Sequence, residues 1–141
     1  MDKKEIVENA LYKLLGFVIY IIVIGILNIV ALFTSNFGFS VTLSFLNNSI
    51  IIVLFMFVAL FFTSFFSSMN YPNNIPAPIF NAAAVVIVAW MLLGILNAIN
   101  PELNSRIIGF LFGNSLIVYL LIAAFVLVAG YILLLKKKTE K

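Results

Sequence analysis

The chain has 141 residues, of which 65% are hydrophobic and only 9% charged, with a net charge of +3. A water-soluble domain carries roughly a quarter charged residues, so this composition excludes an ordinary soluble globular protein. With neither cysteine nor histidine, the chain lacks the thiolate, the commonest metal ligand and the usual general base.

Charge sits at the two ends. Between Lys13 and Lys136 only Glu102 and Arg106 are ionised. Basic ends flanking apolar stretches follow the cytoplasmic excess of Lys and Arg that orients membrane helices, which explains the net charge before nucleic-acid contact does.

At the N-terminus, Asp2 and Glu5 have capping-box spacing, and Ile6, Val7, Ala10, Leu11 and Leu14 recur at helical intervals. This amphipathic lead-in is expected to run unbroken into a first span, Leu14 to Phe33, which is too long for a signal-peptide core and has no cleavage-type residues after it. From Thr34 to Asn48 apolar and small polar residues alternate, which suits either a short strand or an interfacial helix. The second span, Ser49 to Phe66, carries Phe55, Phe57, Phe61, Phe62, Phe65 and Phe66 at spacings that stack rings along helix faces and favour packing against protein. Three prolines between Asn70 and Pro78 then break the helix.

A third span is expected from an N-cap at Asn81 to Ile99. Its small residues, including Gly94 and Ala98, permit close helix approach, and its mid-span Trp90 needs a partner inside a bundle or a subunit contact. Asn100, Pro101 and Glu102 read as N-cap, N1 and N2 of a further helix, with Arg106 at ion-pair spacing from Glu102. Gly109 and Gly113 form a GxxxG at the edge of the final span. That span, Ser115 to Leu135, reaches roughly 31 Å, enough to cross a hydrocarbon core of about 30 Å, before Lys136, Lys137 and Lys138 stop it.

The expected fold is therefore all-α and membrane-type, a four-helix bundle of long hydrophobic helices. A first hairpin with its lead-in occupies 1–69, a hinge 70–80, a second hairpin 81–135 and a basic tail 136–141. Four spans return both lysine-bearing ends to one side, the cytoplasmic one by the positive-inside tendency. Gly25-Ile-Leu-Asn28 recurs as Gly94-Ile-Leu-Asn97, and Asn48-Ser49 as Asn114-Ser115, at equivalent places. The hairpins thus read as duplicates related by a pseudo-twofold along the common axis.

Asn28 and Asn97, matched in the odd spans, can meet and line a polar path, act as interhelical hydrogen-bond glue or sit near the outer boundary, the structural roles being favoured. Together with Phe55, Phe62, Phe66, Trp90, Gly94, Ala98, Gly109 and Gly113 they form the expected packing and assembly set. Paired carboxylates, metal-ligand spacing and phosphate-cradling glycine loops are lacking, so no enzyme, cofactor, metal or small-molecule substrate is expected. A channel should show a continuous polar stripe, and these spans carry isolated Asn, Ser and Thr instead.

Short, extremely hydrophobic chains of helical hairpins with a few terminal lysines resemble the major capsid proteins of archaeal spindle-shaped viruses. The resemblance covers the whole chain as architecture and rests on no motif. It implies a self-assembling shell subunit, inserted in the host membrane and later part of a virion around DNA, with Lys136, Lys137, Lys138 and Lys141 facing nucleic acid or lipid headgroups. The alternative is an accessory subunit of a membrane complex or a holin-like pore former.

Overall fold

A computed structural model describes the backbone from Lys3 to Thr139, and side chains at Val7, Glu8 and from Leu11 to Lys136. The Asp2 cap and Lys141 lie outside the described residues. Six helices follow one another, α1 (Lys3–Ala31), α2 (Phe37–Asn48), α3 (Ile50–Ser67), α4 (Ala77–Leu103), α5 (Arg106–Gly113) and α6 (Ser115–Thr139), with no strand among the described residues. Helices α1, α3, α4 and α6 are each long and apolar enough to cross a membrane, so the chain is a membrane-type helical protein.

The lead-in joins the first span without a break, as expected. Within the Thr34 to Asn48 stretch, Phe37–Asn48 is helix. Asn36 caps α2 by accepting from the Phe39 N–H at 2.8 Å, a start signal that outweighs the two-residue alternation behind it. Helix α2 then runs into α3 through one residue. Ser49 keeps right-handed backbone angles and its hydroxyl donates to the Phe45 carbonyl at 2.6 Å, a back-bond that bends a helix without ending it. Asn114 makes the same kind of back-bond between α5 and α6, its amide donating to the Phe110 carbonyl at 2.9 Å.

Two boundaries differ from the sequence reading. Helix α4 starts at Ala77 behind Pro76, four residues before Asn81, because prolines are tolerated in a first turn where N–H groups have no intrahelical partner. It also continues through Asn100, Pro101 and Glu102 instead of restarting there. The stop is Asn104, in the left-handed region at φ 47°, whose N–H donates to the Asn100 carbonyl, and Ser105 is the true cap of α5.

The long helices stand in the order α1, α3, α4, α6, each packed antiparallel against its neighbour in the row. Among the described residues there is no close backbone approach between α1 and α4, α3 and α6, or α1 and α6. A twofold relating the two hairpins would carry the α3–α4 contact onto an α6–α1 contact. Since that contact is lacking, the expected pseudo-twofold is replaced by a step along the row. The two first helices, α1 and α4, point the same way.

An open row buries little. Among the described residues, only Ile24 is buried in α1, Val53 and Ala59 in α3, and none in α6. Large apolar side chains such as Ile22, Leu121 and Phe125 stand exposed along both flanks, a surface that only lipid or further protein can cover. The central α3–α4 seam is aromatic: Phe80 of α4 stacks on Phe62 and Phe66 of α3 at 5.0 and 5.6 Å. Each such pair contributes about 0.5–1.5 kcal/mol beyond area burial.

Candidate functional site

Three features concentrate specific chemistry or shape. The first is the joint of α2 with α1 and α4, at the end of the molecule away from the termini. Phe45 of α2 lies against Gly94 of α4 and beside Trp90, ring centroids 5.1 Å apart. A side chain at 94 would run into that ring, so the glycine is what lets α2 lie on α4. Trp90 thus has a ring contact inside the molecule, which is not the hydrogen-bond partner expected for its indole N–H.

Asn28 and Asn47 exchange reciprocal amide hydrogen bonds of 3.0 Å, and Asn28 also donates to the Ile24 carbonyl at 2.8 Å. The partner of Asn28 is therefore Asn47 on α2 and not Asn97, which lies on α4 beyond contact with α1. The Tyr20 hydroxyl adds a second tie by donating to the Leu46 carbonyl at 3.0 Å.

Glu102 corrects another expectation. Its carboxylate accepts from the Gly38 N–H at 3.0 Å, placing negative charge at the N-terminus of α2, and it forms no ion pair with Arg106. The helix breaks at Asn104 between the two residues, so the spacing of four no longer aligns them on one face. Gly38 is buried against that carboxylate, and a Cβ there would stand 2.7 Å from Oε1.

The second feature is a cleft of about 310 Å³ beneath the 68–76 turn, bordered by Thr63, Asn74, Pro78, Asn81 and Gly130. Asn74 is 9% exposed, and its Oδ1 has no hydrogen-bond partner among the described residues. Thr63 spends its hydroxyl on the Ala59 carbonyl at 2.9 Å. The cleft can accept one hydrogen-bond donor, but it holds no ionisable group that could move a proton. No group of three His, Asp or Glu side chains suited to a metal occurs among the described residues.

The third feature is the pair of outer flanks. Gly25 on α1 has nothing within 4 Å of a would-be Cβ, although it heads the same tetrapeptide as the tightly packed Gly94. On α5, Gly109 has only the Asn100 amide near it, at 4.0 Å from a would-be Cβ, and Gly113 has nothing, so the GxxxG faces outward. Phe55 is exposed on α3, whereas Phe62 and Phe66 lie in the central seam and Ala98 is half-buried. Lys136 is exposed at the end of α6; the side chains of Lys137 and Lys138 are outside the described set. Sequence reasoning missed Asn36, Phe45 and Asn47, all in the stretch that suits either a strand or a helix, and it places Ser49 at the start of the second span without its role in the bend.

Comparison of the chain with protein-family models, with curated proteins and with solved structures gives no match.

Proposed function

We propose that the protein is a non-enzymatic structural subunit that enters a membrane as a four-span chain and assembles there with copies of itself. In its most specific form it is the major capsid protein of a virus, enclosing DNA with Lys136, Lys137, Lys138 and Lys141 turned toward the phosphates. The observation that carries this reading is the open row. Both outermost helices leave long apolar flanks without a protein neighbour, while the inner seam is aromatic and close-packed. Such a chain is complete only when lipid or another copy closes each side.

A pore former is less well supported. The hydroxyls of Ser49, Thr63 and Ser68 are spent on their own helix carbonyls, so no polar path is offered along the seam.

The test is to purify the protein from membranes, reconstitute it in lipid and image it by electron microscopy. Regular assemblies of many copies are expected. Only monomers or dimers in lipid would overturn the reading, and leakage of dye-loaded vesicles at low protein density would favour the pore. If nucleic acid is the partner of the basic end, binding should fall steeply with salt.

A further inference from the structure

The two halves match in their joints rather than residue by residue: by their back-bonds Ser49 corresponds to Asn114, one position away from the Asn48-Ser49 and Asn114-Ser115 match in the sequence. Gly25 and Gly94 each stand eleven residues before the cap of the following short helix, Asn36 and Ser105. Each short helix ends at a bend residue, Ser49 or Asn114, whose backbone N–H and side chain both donate to the carbonyl of a phenylalanine four residues earlier. Those phenylalanines are Phe45 and Phe110. Helix α5 is 8 residues long against 12 for α2, about one turn shorter, so the correspondence resumes in register at the bend.

Within the chain, Phe45 of the first half docks over Gly94 of the second. In the second half the equivalent ring, Phe110, is 68% exposed, and in the first half the equivalent glycine, Gly25, faces open space. The knob and the hole of one interface are thus each present a second time, unpaired, at opposite ends of the row. Both lie on surfaces that no other part of the chain covers among the described residues, and the step that carries one half onto the other preserves helix direction.

We infer that copies of this chain join head to tail, with α5 and α6 of one copy lying on α1 of the next and Phe110 of the first seated over Gly25 of the second, repeating the internal Phe45–Gly94 joint. Ile21, four residues before Gly25, takes the place that Trp90 has beside Gly94. The contact is heterologous: every copy offers a knob at one end and a hole at the other, so growth continues until the per-copy rotation closes a ring or winds a filament. All copies keep the same orientation across the membrane, as parallel repeats do. This rests on the self-assembly reading and specifies its interface.

The chain has no cysteine, so introduced thiols are unique. The length of a phenyl ring separates the two backbones beyond disulfide reach. A short bifunctional thiol reagent is therefore applied to membranes carrying Gly25→Cys, Phe110→Cys or both. The double variant should give a ladder of dimers, trimers and higher species on denaturing gels. Each single variant alone should stay monomeric, and mixing the two singles should give dimers only.

A double variant that stays monomeric while electron microscopy still shows assemblies overturns this interface and leaves self-assembly standing. Dimers from Phe110→Cys alone would overturn it in favour of a symmetric contact. Unaltered protein that never assembles removes the underlying reading as well. As an independent check, Gly25→Phe has room to fold within its own chain and should weaken assembly by about tenfold or more, since a plugged hole loses one close-packed aromatic contact. Assembly at unaltered strength would contradict the docking.

Discussion

The two copies of one tetrapeptide allow a controlled substitution. At Gly94 an added Cβ would stand 2.9 Å from Phe45 Cε1 and nearer still to Cε2 and Cζ, whereas at Gly25 it would meet nothing within 4 Å. The ring is half-buried beside Trp90 and cannot retreat without losing that contact. Overpacking of this kind costs about 1–3 kcal/mol. Both substitutions to alanine share the same gain, up to about 1 kcal/mol, from replacing glycine inside a helix. The two variants should therefore differ by the overpacking cost alone.

The assay is reversible unfolding in mixed detergent, followed by circular dichroism, on protein held monomeric so that no neighbouring copy reaches Gly25. Gly94→Ala should lie about 1–3 kcal/mol below Gly25→Ala. Adding Phe45→Ala to each should close most of that gap. Equal stability of the two glycine variants, or a gap that survives Phe45→Ala, would refute the placement of α2 on α4.

Further outcomes follow from the same joint and from the topology. Glu102→Ala should cost about 0.5–2 kcal/mol by uncapping α2, while Arg106→Ala stays within about 0.5 kcal/mol of the parent. Matching losses would restore the ion pair. A double-mutant cycle on Asn28 and Asn47 should return a coupling of about 0.6 kcal/mol, up to about 1.7, and a cycle on Asn28 and Asn97 none. An impermeant thiol label should reach cysteine placed at Asn73 from the side of the termini and cysteine at Ser35 or Asn104 from the other. Labelling of all three from one side would break the four-span topology.

The spans were legible because length and apolarity alone define them: α3 and α6 begin and end, and α1 ends, within a few residues of where hydropathy places them. What failed was local ambiguity at polar residues. Pro101 suits the first turn of a helix, yet the tertiary contact of Glu102 with Gly38 holds those residues in the last turn of α4. Asn36 was a usable cap signal, masked by an alternation that a helix with small polar residues shares with a strand. The recurrence of Gly-Ile-Leu-Asn pointed to matched halves but could not say how they are related, because a twofold and a step along a row leave the same trace in a sequence. Only the missing α6–α1 contact separates them.

The central claim is that the four long helices form a row with two open ends that other copies complete. Spin labels at Val18 on α1 and Leu120 on α6, both exposed, read this directly by pulsed dipolar spectroscopy in lipid. Diluted with unlabelled chains, the pair should report ~25–30 Å, three interhelical spacings of about 8–10 Å. Undiluted, assembled protein should add a component near 10 Å from α6 of one copy against α1 of the next. A short distance that persists at full dilution would mean a closed bundle and would contradict the account.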